Sequence, residues 1–143
     1  MNSDEPSTIT KYIKSIELSH DDEYLFSVGV FTDNHPSKDQ PEHKGFINAM
    51  KFNANLKESC LHIVDKTSNP EKKGMYRIDR CEGSTDLLVS SWSDVFVYSF
   101  DGNLFSLKHS FNQLHTNLIY NMIPLKDGFY TCSNDCDASL VTY

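Results

Sequence analysis

The sequence predicts an all-β chain, a partial WD-repeat β-propeller of about three antiparallel blades with the last blade incomplete. Three runs, Asp86 to Trp92, Ser93 to Phe100 and Asn103 to Phe111, are rich in Val, Leu, Phe and Tyr and roughly alternate in polarity. Such runs are typical of strands, and the Asp101-Gly102 pair between the last two is a strong hairpin signal. A second unit of this kind starts near His115, and units of about forty residues are typical of WD-type blades.

The second unit repeats the order of the first. Asn117 to Leu125 predicts a strand, Lys126 to Gly128 a turn, and Phe129 to Ser133 and Ala138 to Tyr143 two more strands. This blade therefore has three predicted strands and no fourth. In closed propellers the last blade is often completed by a strand from elsewhere, which removes the sheet edge. The chain is therefore expected to be a fragment or a shortened paralogue, or to complete its ring with a second chain.

The N-terminal region predicts a further blade. Lys11 to Ser19 alternates as a half-buried strand does, and Glu23 to Phe31 predicts a second strand. Residues 32–44 contain two prolines and almost no apolar side chain, which predicts a surface loop. Gly45 to Leu56 permits a strand or a short helix, and the neighbouring pattern favours the strand. Ser59 to Asp65 predicts the outer strand of this blade.

The expected organisation is a disordered N-terminus at 1–7 and a propeller segment at 8–143. Within that segment the predicted blades span approximately 8–68, 69–112 and 113–143. Met75 to Cys81 alternates in polarity and predicts the first strand of the second blade.

Composition argues against several classes of function. The net charge is −7, and Arg77 and Arg80 are the only arginines, whereas nucleic-acid binding needs clustered basic side chains. No run of about eighteen apolar residues is present, so no membrane span is predicted. The N-terminus lacks the basic and apolar segments of a signal peptide, so a cytoplasmic location is expected.

The four cysteines, Cys60, Cys81, Cys132 and Cys136, are expected to be reduced in a cytoplasmic chain. A zinc site near Cys132 and Cys136 is conceivable with His115 upstream, but their spacing is a poor match to structural zinc sites. The glycines are too scattered for a phosphate-binding loop. We therefore expect no metal and no cofactor.

His115 and Asp137 have about the separation that the WD pattern gives its histidine and turn aspartate. We expect them to form a hydrogen-bonded pair that holds the fold, with Ser133 and Tyr143 where the remaining partners of the pattern stand. Asp94 is the equivalent turn aspartate of the preceding blade. A catalytic role for His115, Asp137 and Ser133 is the alternative, but no nucleophile elbow accompanies them, so the sequence names no catalytic residue.

The order of motifs in the second half resembles the closing portion of the diphthine methylesterase family. Tyr76 and Tyr143 stand where members of that family typically have tryptophan, and Asn121 stands where a glycine is expected. One extra residue is present between Asn134 and Asp137. The motifs are GMYRI, LLVSSWSDVFVYSF, LHTNLIYNM and YTCSNDCDASLVTY, and the matching residues are Gly74, Arg77, His115, Tyr120, Thr131, Cys132, Ser133, Asp137 and Leu140.

The resemblance implies a WD-repeat protein of diphthamide synthesis that hydrolyses the methyl ester of the diphthine intermediate on elongation factor two. It covers about half of the chain and brings no identified nucleophile. The alternative is a WD-repeat module that binds other proteins, or a scaffold subunit, without chemistry of its own. Three blades are fewer than the four to eight of closed propellers, which favours a binding module without chemistry over an active enzyme.

Overall fold

The computed structural model describes residues 6, 8–52, 57–64, 67–69 and 72–143. The segment 1–7, expected to be disordered, lies outside these residues except for residue 6. The described residues form eleven strands and no α-helix, which confirms the all-β prediction. The strands are β1 (Thr8–Leu18), β2 (Tyr24–Asn34), β3 (Glu42–Lys51), β4 (Lys57–Val64), β5 (Arg77–Arg80), β6 (Leu87–Ser90), β7 (Val95–Phe100), β8 (Phe105–Phe111), β9 (Ile119–Leu125), β10 (Gly128–Ser133) and β11 (Ala138–Thr142).

Three antiparallel sheets follow one another along the chain, as the blades of a partial propeller do. The first has the order β1-β2-β3-β4, the second β5-β6-β7-β8, and the third β9-β10-β11. Each begins with its innermost strand, and β5 contacts both β1 and β9. The third sheet has three strands, so the predicted incomplete last blade is confirmed.

The second sheet is covered on both faces. Leu87 and Val89 of β6 belong to a core shared with the first sheet, where they pack with Phe26. Leu88, between them, belongs to a second core shared with the third sheet, where it packs with Phe129. Because both faces are buried, β6 is a continuous apolar run instead of an alternating one.

The predicted loop at 32–44 is shorter than the sequence suggests. Strand β2 continues to Asn34 and β3 begins at Glu42, with pairs such as Thr32 with His43 extending the ladder. The loop prediction was wrong for these residues because backbone hydrogen bonds of a hairpin need no apolar side chains. Gly45 to Lys51 is strand, as preferred over a helix.

A close approach of backbone fixes the first hairpin. A β-carbon on Gly29 would lie 1.8 Å from the carbonyl oxygen of Tyr12, next to the bulge of β1 between Ile13 and Ser15. Only glycine fits there without moving β1. The Gly29 carbonyl oxygen also accepts the Met75 N–H at 3.0 Å, which ties the first sheet to the segment that enters β5.

The Asp101-Gly102 turn forms the β7–β8 hairpin that the sequence predicts. The Asp101 carboxylate accepts the N–H groups of Asn103 and Leu104 at 2.8 and 2.9 Å. Gly102 has a φ of 96°, which side chains disfavour. No helix in the described part of the chain is long and apolar enough to cross a bilayer.

Candidate functional site

His115 lies in the segment between the second and third sheets and is 5% exposed. Its Nδ1 atom is 2.9 Å from Oδ2 of Asp135, and its Nε2 atom is 2.7 Å from Oγ1 of Thr131. A carboxylate can only accept, so Nδ1 is the donor, and Nε2 shares a hydrogen bond with the Thr131 hydroxyl. The imidazole thus joins β10 to the turn that follows it.

Asp135 is the centre of the β10–β11 turn. Its carboxylate accepts the N–H of Thr116 at 3.0 Å and the N–H of Asp137 at 2.9 Å, in addition to His115. Burial alone would raise the pKa of the Asp135 carboxyl, but the hydrogen bonds from the Thr116 N–H and from His115 lower the pKa below its usual value. Asp135 is therefore ionised at neutral pH and holds the segment before β9 against this turn.

The predicted pairing of His115 with Asp137 was wrong, and so were the partners assigned to His115. The Asp137 carboxylate accepts the Ala138 N–H at 3.1 Å, and Ser133 Oγ accepts the Asp135 N–H at 3.3 Å. Cys136 has a φ of 67°, in the left-handed region, so the chain reverses direction before Asp137. Asp135, and not Asp137, contacts the imidazole. The spacing of the sequence did not distinguish two aspartates within one turn.

Tyr143, the predicted aromatic partner, lies elsewhere. Its hydroxyl is 3.8 Å from Sγ of Cys81, and its ring lies 5.8 Å from the ring of Phe111. Burial raises the pKa of Tyr143 to about 12. Burial also raises the pKa of the Cys81 thiol. Tyr143 thus packs on Phe111 at the edge of the core between the second and third sheets, while Asp135 and Thr131 contact the two ring nitrogens of His115.

Asp94 has the equivalent role in the preceding blade, as the sequence predicts for a turn aspartate. Its side chain accepts the Ser68 N–H at 2.7 Å, the Ser68 hydroxyl and the Ser91 hydroxyl. It also accepts the Gln113 N–H at 2.8 Å. Asp94 is fully buried and joins both segments that connect the sheets. The sequence does not predict that Ser68 and Gln113 contact Asp94, because serine and glutamine are common in polar connections.

The order hydroxyl, imidazole, carboxylate in Thr131, His115 and Asp135 is the order of a hydrolytic triad. A catalytic hydroxyl must reach substrate, whereas Thr131 is 2% exposed. Neither Thr131 nor His115 lines the clefts between and beside the first two sheets. The geometry is that of a buried tie between backbone segments, and Ser133 is likewise buried.

A cleft of about 420 Å³ opens between the first and second sheets, at the end where the β1–β2, β5–β6 and β7–β8 turns meet. Its wall is aromatic, with the rings of Tyr24 and Phe100 5.0 Å apart and perpendicular. Its mouth carries acidic and basic groups. The lining residues are Ser19, His20, Asp21, Glu23, Tyr24, Phe26, Arg80, Thr85, Leu87, Phe100, Asp101 and Gly102.

Negative charge prevails at the mouth of this cleft. The Ser19 hydroxyl, 2.6 Å from Asp21, and the Glu23 N–H lower the pKa of the Asp21 carboxyl. The N–H groups of Leu104 and Asn103 lower the pKa of Asp101. Arg80, the cation in the lining, lies 3.6 Å from a Glu17 carboxylate oxygen and is partly neutralised by it. Two smaller clefts, of about 320 and 270 Å³, lie beside β5.

The described residues contain no cluster of three or more His, Cys, Asp or Glu side chains that could hold a metal ion. All four cysteines lie in the described part of the chain, and none is in a disulfide. Cys81 is buried and Cys136 is exposed, although the two belong to the same half of the chain.

No known protein family matches this chain, and no curated protein matches it either. Sixteen chains of solved structures are similar to it. One is a chain in the crystal structure of the mitotic checkpoint complex, with a TM-score of 0.55 and 8% identity over 92% of this chain. The fold is that of a WD-like β-propeller. The match spans 50% of the length of that chain, so this chain corresponds to about half of its neighbour.

Proposed function

We propose that this chain is a protein-binding module whose cleft between the first and second sheets receives a positively charged segment of a partner protein. The observation that supports this is the contrast between two places in the molecule. The Thr131 hydroxyl and the His115 imidazole are buried, whereas the accessible cleft presents Asp21, Glu23 and Asp101 around aromatic rings.

The chemistry of the cleft favours a cationic side chain. An ammonium or guanidinium group is attracted by carboxylates at the mouth and by the face of an aromatic ring. Lys51 already places its Nζ atom 5.9 Å from the centre of the Tyr24 ring, so this ring is suited to such contacts. The net charge of −7 adds a favourable field for a basic partner.

The test is the binding of two synthetic peptides of equal length, one lysine-rich and one glutamate-rich, measured by calorimetry at two salt concentrations. We expect the lysine-rich peptide to bind and its affinity to fall as salt rises. Glu23→Lys should weaken binding by about tenfold or more, a change of about 1.4 kcal/mol. Asp127→Lys makes the same charge change at an exposed turn residue elsewhere. Equal losses for both variants would show that net charge, and not the cleft, attracts the peptide.

Methyl-ester hydrolysis on the diphthine intermediate of elongation factor two is the second candidate. It is supported by the motif resemblance and by the hydroxyl–imidazole–carboxylate order of Thr131, His115 and Asp135. The reaction consumes water and releases methanol and a carboxylate. Because Thr131 is buried, we propose that the chain by itself is weak or inactive as an esterase. We propose a cytoplasmic location for the chain under either candidate.

Methanol release from methylated diphthine on elongation factor two measures this activity. Wild type is compared with His115→Ala and with His109→Ala, which replaces an exposed histidine on β8. Turnover by wild type and His109→Ala that disappears in a folded His115→Ala variant would make the esterase the better assignment. Absence of turnover together with peptide binding supports the module.

A further inference from the structure

The two outer sheets each leave one face without a covering sheet. The Ser15 hydroxyl accepts the Ile78 N–H of β5 at 3.3 Å, so this side of β1 faces the second sheet. Ile16, the next residue, lies on the opposite side, in one cross-strand row with Ser27, Asn48 and Leu61. We name the large exposed apolar side chains on that side, which are 36–59% exposed, the first free face: Ile9, Ile13, Ile16, Leu18 and Leu61.

The third sheet has a matching surface. Phe129 packs edge-on against Phe111 of the second sheet, with ring centres 5.3 Å apart. Tyr130 lies on the other side of β10 and pairs directly with Ile123 on one neighbouring strand and Leu140 on the other. These three side chains form the second free face and are 44–56% exposed. Contiguous apolar surface of this kind marks an interaction site.

We propose that a second copy of this chain covers both faces, the first free face of each copy packing on the second free face of the other. The result is a closed ring of six sheets with a two-fold axis along its centre. Six lies within the four to eight blades of known propellers. Two junctions between successive sheets already exist within the chain, and the two new junctions repeat the same arrangement.

Two further observations favour a second copy over an unrelated partner. The two free faces carry different side chains. In a closed ring, the first free face of one copy meets the second free face of the other. Five side chains from one copy and three from the other meet at each junction. At about 100 Å² for each half-exposed side chain, two junctions bury on the order of 1,500 Å², the area of a standard interface.

The positions of two charged side chains support the same packing of the first free face on the second free face. Lys11 pairs with Phe31 near the β2–β3 turn and lies on the side of β1 that carries the first free face. Asp137 is exposed in the β10–β11 turn beside the second free face. Strands β1 and β5 run parallel, since Ser15 meets Ile78 and Glu17 meets Arg80. Turns between second and third strands therefore share one rim, where the ring would bring Lys11 towards Asp137.

The test uses the full chain in sedimentation velocity at concentrations up to about 100 µM. Wild type should be a dimer. Ile16→Asp and Tyr130→Asp should each weaken the dimer by about 100-fold or more, because every junction contains both faces and a buried unpaired charge is costly. An equal mixture of the two variants should form a mixed dimer, since one junction then joins two unaltered faces. Leu107→Asp, an equally exposed apolar residue on β8, should remain a dimer.

Several outcomes would overturn the proposal. If wild type stays a monomer at all concentrations, the two free faces bind a partner other than a second copy. A dimer lost in Tyr130→Asp but kept in Ile16→Asp is a symmetric pairing of third sheets, and the mixture then fails to restore it. Species that grow beyond a dimer with concentration indicate an open filament. Circular dichroism confirms folding, and Ile13→Asp with Leu140→Asp form a second pair of variants if either of the first two unfolds.

Discussion

The amide nitrogen of Ser68 lies 2.7 Å from Oδ2 of Asp94, although the two residues are 26 positions apart in sequence. This contact fastens the segment that precedes β5 to the turn between β6 and β7. One blade later, His115 contacts Asp135 in the corresponding turn at 2.9 Å. The same tie therefore recurs with serine in one blade and histidine in the next.

Asp94→Ala should strongly destabilise the chain. It leaves the part-buried amides of Ser68 and Gln113 without their acceptor, and a donor that is buried without a partner costs about 1–3 kcal/mol. Urea denaturation followed by tryptophan fluorescence reports the loss, since Trp92 is close by in sequence. Asp127→Ala, at an exposed turn residue, should lie within about 0.5 kcal/mol of wild type. Equal midpoints for the two variants would contradict the role of Asp94.

Thr131→Val tests the tie at His115. The substitution keeps the shape of the side chain but removes the hydroxyl that contacts His115 Nε2 at 2.7 Å. A buried imidazole nitrogen without a partner should lower the free energy of unfolding by about 1–3 kcal/mol. Thr142→Val, on exposed β11 surface, is the matched control and should change little. Retained stability in Thr131→Val would mean that the hydroxyl serves another purpose.

Asp135 should make the fold sensitive to acid. The pKa of its carboxyl is lower in the folded chain, so the unfolded chain binds more protons. The stabilisation is complete above the unfolded value of about 3.9 and is lost as the pH falls through the folded value. Below pH ~4 the melting temperature of wild type should therefore fall more steeply than that of Asp135→Asn.

The measurement is thermal unfolding by circular dichroism between about pH 2.5 and pH 7. Asp127→Asn removes an exposed carboxyl from a different turn and should keep the wild-type slope. Parallel curves for wild type and Asp135→Asn would show that the hydrogen bonds to Asp135 do not persist in solution.

The cysteines should react at very different rates in the native chain. Cys136 is exposed, whereas Cys81 is buried and burial raises the pKa of its thiol, which lowers the fraction of reactive thiolate. Titration with a chromogenic disulfide reagent should show a fast phase that Cys136→Ser removes. Cys81→Ser should leave that fast phase intact. All four thiols should react in denaturant without reductant, and fewer than four would reveal a disulfide.

Local sequence signals predicted the strands well because the hairpins depend on neighbouring residues. Alternation identified β1, and the Asp101-Gly102 pair identified the β7–β8 turn. The sequence did not reveal which aspartate contacts His115, since Asp135 and Asp137 occupy one turn and the left-handed conformation of Cys136 decides between them. Contacts between blades depend on where a connection passes in space, and no local pattern records that.

The burial of both faces of the second sheet also affects the order in which parts of the chain unfold. The amides of Leu88 and Val97 lie in strands whose two faces are both buried, so they become accessible only when both neighbouring sheets separate. In the monomer, strands β1 and β11 lie in sheets with one uncovered face and can fray alone. Deuterium uptake should therefore be slowest in the middle of the chain and fastest in its outer sheets. Such a molecule unfolds from its two outer sheets inward, and the amide hydrogens that exchange last report the free energy of unfolding of the whole chain.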